Sequence, residues 1–175
     1  MKKIEKGKPQ LFISARQIRK RIDELANQIN EDYRDRIPIF IGVLNGAFIF
    51  LSDLIREIKI NCEIDFMKLS SYGDQKITSG QVKMIKELNC DVKGRDVIIV
   101  EDIVDTGLSI KFINKLIKKG KPRSVKIATL LYKTGISKLD FKVDYIGFEI
   151  DNKFVVGYGL DFAQKYRNLK DVYVL

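Results

Sequence analysis

Histidine does not occur anywhere in these 175 residues. Its absence rules out Ser-His and Cys-His nucleophiles and any histidine metal site. Cysteine is scarce as well. Cys62 and Cys90 are the only two, and neither belongs to a CxxC pair. They read as small, reduced core residues rather than a disulfide framework. No apolar run approaches the ~20 residues of a membrane span. The basic start MKKIEKGKPQ has no apolar segment behind it and is not a signal peptide. A cytoplasmic location, without membrane association, is the expectation. There is no GxxxxGK[ST] loop, which removes P-loop kinases. No internal repeat, low-complexity tract or linker divides the chain, so residues 1–175 are expected to form a single domain.

These absences narrow the available chemistry. General acid–base work falls to Asp, Glu, Lys or Tyr, and any metal would be a hard cation such as magnesium held by oxygens. The net charge is +9, which suits anionic partners such as nucleotides, pyrophosphate or RNA. The lysines are spread along the chain, however, and Lys118, Lys119 and Lys121 form only a short cluster at a helix end. The charge therefore reads as diffuse and solubilising, and nucleic-acid binding is not expected.

The most informative stretch is Val97 to Ile110, VIIVEDIVDTGLSI. Val97, Ile98, Ile99 and Val100 form a β-branched run suited to a strand buried on both faces. The acids Glu101 and Asp102 follow it. Asp105-Thr106-Gly107-Leu108-Ser109 then turns into a helical pattern carried by Ile110, Ile113, Leu116 and Ile117, which Gly120 and Pro122 stop. A helix start offers N–H groups to a phosphate, and the carboxylates offer acceptors to sugar hydroxyls. The same spacing also fits an ordinary helix cap.

The rest of the chain supplies a frame. Ser14 can cap a helix with the stripe Ile18, Ile22, Leu25, Ala26 and Ile29. Ile39 to Val43 reads as a strand. After Leu44-Asn45-Gly46-Ala47, the helical spacing of Phe48, Leu51, Ile55 and Ile58 favours strand-turn-helix over a hairpin. Further strands are expected near residues 63–69, 125–131 and 145–150. Ser70 to Gln81 reads as a long polar loop followed by an extended segment at residues 82–85. Alternating strands and helices predict a mostly parallel sheet flanked by helices. Ligands then collect at the carboxyl ends of the strands. Residues 44–47, 101–109, Lys133 and Asp151 all fall there.

Val97 to Ser109 closely resembles the phosphoribosyl pyrophosphate signature of type I phosphoribosyltransferases. Four further stretches are similar to the 6-oxopurine branch, the hypoxanthine-guanine phosphoribosyltransferases: residues 44–47, Ser71-Tyr72, Lys133 after IATLLY, and DNKFVVGYGLDFAQKYR. The match runs in order over about residues 35–175. It implies the type I phosphoribosyltransferase fold, with a small hood made by the N-terminal segment and the C-terminal tail, and a lid loop at about 70–84. The implied activity is purine salvage, giving IMP or GMP and pyrophosphate from phosphoribosyl pyrophosphate and hypoxanthine or guanine. By this resemblance, Asp105 is the general base. Leu44, Asn45, Gly46, Ser71, Tyr72, Glu101, Asp102, Asp105, Thr106, Gly107, Leu108, Ser109 and Arg167 bind phosphoribosyl pyrophosphate. Lys133, Phe154, Val155 and Asp161 bind the purine, and Glu101, Asp102 and Asp161 hold Mg2+. Relatives often place lysine where this chain has Asn45, and they carry a non-proline cis peptide there. A homodimer or homotetramer is implied. Two alternatives stay open: a pyrimidine-gene regulator of this fold that binds RNA, and a xanthine-preferring enzyme. Lys133 argues against adenine.

Overall fold

A computed structural model describes residues 8–71, 82–86, 88–137 and 139–175, with backbone alone for 70, 71 and 82–85. Nine strands and three helices alternate among the described residues. They are β1 (Gln10–Ile13), α1 (Ala15–Asp32), β2 (Ile39–Leu44), α2 (Phe48–Glu57), β3 (Glu63–Ser71), β4 (Val82–Lys86), β5 (Asp96–Val104), α3 (Leu108–Lys119), β6 (Ser124–Lys133), β7 (Tyr145–Ile150), β8 (Val155–Val156) and β9 (Val172–Val174). Six strands form the main sheet in the order β4-β3-β2-β5-β6-β7. Strands β3, β2, β5, β6 and β7 run parallel, and β4 is antiparallel to its neighbour. No helix of the described residues is long and apolar enough to cross a membrane.

Side chains alternate across each strand, so the sheet divides the apolar residues into two cores. Phe40, Ile98, Val100, Ala128 and Leu130 face α1 and α2. Ile39, Ile41, Val97, Ile99 and Ile127 face α3. The expected stripe of α1 is buried throughout. Its start is a capping box: Gln17 N–H donates to the Ser14 hydroxyl, and Ser14 N–H donates to Gln17 Oε1. Arg21 on α1 donates to the carbonyls of Ile146 and Gly147 in edge strand β7, which ties helix to sheet.

Three features go beyond the sequence reading. First, β5 does not end at Val100 but continues through Glu101 and Asp102 to Val104. Beyond Val100 its pairing with β2 stops, while Ile103 and Val104 still pair with Leu131 and Tyr132 of β6. One-sided pairing keeps the strand extended and leaves the acids beside an open strand end. Second, α3 stops at Gly120 as expected, but the positive φ falls on the next residue: Gly120 has φ −71° and Lys121 takes +56°. A Cβ on Gly120 would run into Val92 Cγ2, so close packing accounts for the glycine. Third, a small sheet, β1-β9-β8, joins the two ends of the chain. Its strands have two to four residues each, too short for a period-two pattern to register.

Both cysteines are free thiols. The Cys90 thiol is pushed up to about 11 by burial and by Asp65 beside it. Burial alone would raise the Asp65 carboxyl. The backbone N–H groups of Phe66, Cys90 and Asn89, with Lys86, outweigh that and hold it well below the usual carboxylate range.

Candidate active site

Four neighbouring parallel strands deliver their carboxyl ends to one edge of the sheet: β2 at Leu44, β5 at Val104, β6 at Lys133 and β7 at Ile150. The Leu44–Asn45 peptide bond is cis. Gly46 follows it, and a Cβ there would fall on the Asp102 carboxylate, so the loop after β2 and the acid pair of β5 lie in contact. The Gly46 carbonyl in turn meets Gly159 so closely that a Cβ on that residue could not be accommodated. Loop, acid pair and tail thus close on one another.

Glu101 is buried, with 8% of its surface exposed, and Asp102 is half-buried beside it. Burial pushes the Glu101 carboxyl well up, and the charge of Asp102 adds to it. Burial raises Asp102 as well, against a lowering by its hydrogen bonds with Glu101 and the Ile103 N–H and, last, by the Arg167 guanidinium. Two crowded acids of this kind favour a ligand bringing hydroxyl donors or a cation. Among the described residues no cluster of three or more metal-binding side chains occurs. Glu101 and Asp102 therefore fit a hard cation only as a partial donor set, its other oxygens coming from ligand and water.

Residues 105–109 bend around Gly107, whose φ of +85° suits glycine. A Cβ there would come within 2.6 Å of Leu139 Cδ2. Gly107 also occupies the N-cap of α3, where no side chain caps the helix and no acid occupies the first turn. The first N–H groups of a helix have no intrahelical partner, and the dipole adds partial positive charge. Thr106, Leu108 and Ser109 are exposed around this end. Together with Glu101 and Asp105 they line a cleft of about 70 Å³. The helix end of this cleft offers N–H donors of the kind that receive a small anion.

Lys133 closes the adjacent side. Its relative exposure is only 6%, so it is no solvated strand end. Its ammonium donates to Asp105 Oδ2 at 2.9 Å and to Asn152 Oδ1 at 3.5 Å. Phe154 is 42% exposed, which excludes a plain core role, and it meets Phe162 edge-to-face at 5.7 Å. Val155 is buried in β8. Asp161 is engaged twice, by Arg167 at 2.7 Å and by the Gln164 N–H at 2.8 Å. Arg167 also donates to the Gly159 carbonyl at 2.7 Å.

The sequence reading named most of these residues but not all. It marked Asp151 as the polar group after β7; among the described residues the exposed Asp151 side chain pairs with Lys153, at 3.9 Å, while Asn152 reaches Lys133. Phe162 and Gly159 were passed over, because an aromatic or a glycine in an irregular tail carries no periodic signal. Ser71 ends β3, and Tyr72, with most of the expected lid, lies outside the described residues.

The family model "Phosphoribosyl transferase domain" matches residues 13–163. The hypoxanthine-guanine phosphoribosyltransferase of Bacillus subtilis is 47% identical over 165 residues, covering 94% of this chain and 92% of that protein. The hypoxanthine phosphoribosyltransferase of Escherichia coli is 42% identical, covering 91% of each. Among solved structures, a hypoxanthine-guanine phosphoribosyltransferase of Bacillus anthracis superposes with a TM-score of 0.90 at 42% identity, over 95% of this chain and 98% of that one.

Proposed function

The chain belongs to the phosphoribosyl transferase family, and from that premise we propose that its site joins N9 of hypoxanthine or guanine to C1′ of phosphoribosyl pyrophosphate. It is a hypoxanthine phosphoribosyltransferase, an enzyme of purine salvage that releases IMP or GMP and pyrophosphate. The observation that carries the reading is the convergence of Lys133 and Asp105 at 2.9 Å beside the anion cleft. A buried ammonium donor and a carboxylate acceptor side by side match a purine whose 6-oxo group accepts and whose N7–H donates.

The remaining roles follow from position. The 5′-phosphate sits on the N–H groups and hydroxyls of Thr106 to Ser109, where Leu108 supplies backbone. The Glu101 and Asp102 carboxylates accept from the ribose hydroxyls, and the loop Leu44-Asn45-Gly46 holds pyrophosphate through its backbone. That backbone role tolerates Asn45 in place of lysine. Glu101 and Asp102 would hold Mg2+, with Asp161 nearer the tail. When bound, the cation neutralises charge developing on the departing pyrophosphate. Phe154 stacks on the base and the Val155 backbone reads its far edge. The small sheet β1-β9-β8, which carries Val155, serves as the hood. As N9 attacks, Asp105 takes the N7 proton and Lys133 stabilises the 6-oxo group. Arg167 exchanges Asp161 for pyrophosphate. Association as a homodimer or homotetramer belongs to the same reading.

The test is a spectrophotometric screen of hypoxanthine, guanine, xanthine and adenine with phosphoribosyl pyrophosphate and Mg2+, with and without chelator. Turnover of the first two, lost with chelator and restored by Mg2+, is the expected result. Xanthine turnover alone, or RNA binding without any turnover, would replace the reading.

A further inference from the structure

Lys133 carries a flexible four-carbon stem and an ammonium with three rotatable donors. A purine-reading lysine must aim one of those donors. Asp105 fixes one direction at 2.9 Å. A single anchor leaves the ammonium free to turn about that bond, so a second is required to define where the third proton points.

Asn152 occupies that second direction. Lys133 pairs with Ile150 across the β6–β7 ladder, and Thr134 N–H donates to the Ile150 carbonyl at 3.0 Å. This locks the ends of the two strands together and sets Asn152, two residues on, beside the lysine. The bend carrying it is held on both sides. Lys153 N–H donates to the Asp151 carbonyl at 2.7 Å, and Leu175 N–H donates to the Phe154 carbonyl at 3.1 Å. Asn152 Oδ1 then lies 3.5 Å from the ammonium.

We infer that Asn152 is a positioning residue for purine selection: its side-chain oxygen steadies the Lys133 ammonium so that the remaining N–H is presented to an acceptor at the purine 6-position. This rests on the purine-binding reading of Lys133. A base with a donor at position 6 then meets an N–H held against it. A freely turning ammonium could rotate away from that donor.

The test uses the full-length enzyme with Asn152→Ala, Asn152→Asp and Lys133→Ala. The measurements are steady-state kinetics with hypoxanthine and with adenine, the KM for phosphoribosyl pyrophosphate, and the melting temperature. Asn152→Ala lowers kcat/KM for hypoxanthine about three- to tenfold, the worth of one hydrogen bond. It also narrows the preference for hypoxanthine over adenine, with melting and the KM for phosphoribosyl pyrophosphate unchanged. Asn152→Asp, which keeps an acceptor oxygen at the same reach, recovers most of the loss. The assignment is overturned by unchanged hypoxanthine kinetics in Asn152→Ala, by an Asp variant as impaired as the Ala variant, or by equal losses toward both substrates. Lys133→Ala separates the two levels. If it too spares hypoxanthine, the purine site itself is misread; if it impairs hypoxanthine while Asn152→Ala does not, only the positioning role fails.

Discussion

Replacing Lys133 by Met isolates the charge from the packing. Methionine keeps the length and apolar bulk of the lysine stem in a site where only 6% of the residue is exposed. The ion pair to Asp105 disappears, but about half of the Asp105 side chain is exposed, so water takes over its solvation. A pair with one exposed partner contributes about 0–1 kcal/mol to folding, and the melting temperature should move little. The purine, by contrast, loses a charge-assisted hydrogen bond, roughly 1.5–3 kcal/mol. That corresponds to a fall of about 10- to 150-fold in kcat/KM for hypoxanthine. Adenine should lose far less, because its 6-amino donor no longer faces an ammonium. The assay is steady-state turnover of both bases, with phosphoribosyl pyrophosphate affinity from calorimetry as the control. A loss below about threefold for hypoxanthine, or an equal loss of phosphoribosyl pyrophosphate affinity, would refute the reasoning.

Asp105→Asn should lower kcat by about 10²- to 10⁴-fold, the scale of a lost general base, while calorimetry finds phosphoribosyl pyrophosphate binding intact; full turnover would take Asp105 out of the proton transfer. Gly107→Ala should weaken phosphoribosyl pyrophosphate binding, because φ of +85° costs a non-glycine residue about 1–3 kcal/mol and its Cβ comes within 2.6 Å of Leu139 Cδ2. Adding Leu139→Ala should relieve the clash but not the backbone strain, so full rescue in a binding titration would contradict the strain argument. Asp65→Asn should destabilise the fold by roughly 2 kcal/mol at neutral pH, since a buried carboxylate loses its charge-assisted bonds from Phe66, Asn89, Cys90 and Lys86. The folded state depresses the Asp65 carboxyl, so its contribution is complete above the unfolded value near ~3.9 and fades as pH falls toward the lower folded value. Denaturation curves of wild type and variant should therefore converge in acid; a gap that is constant with pH would assign the loss to packing.

Much of this protein is legible in its sequence. The β-branched run at residues 97–100 suited a strand buried on both faces, and the stripe Ile18, Ile22, Leu25, Ala26 and Ile29 suited a helix with one buried face; both elements form as expected. The alternation of such elements argued for a mostly parallel sheet, and such a sheet placed the acids, the glycine turn and Lys133 at one edge. Local pattern carries that much because each of these segments is long enough to show its period. It could not show that β5 runs on past its acids, since that depends on where the partner β2 stops pairing. Nor could it show that Asp102 lies against Gly46, that Arg167 waits on Asp161, or that Asn152 rather than Asp151 turns toward Lys133. Each of those contacts joins strand ends and tail segments far apart in sequence, and their geometry comes from sheet twist, register and close packing rather than from the residues on either side.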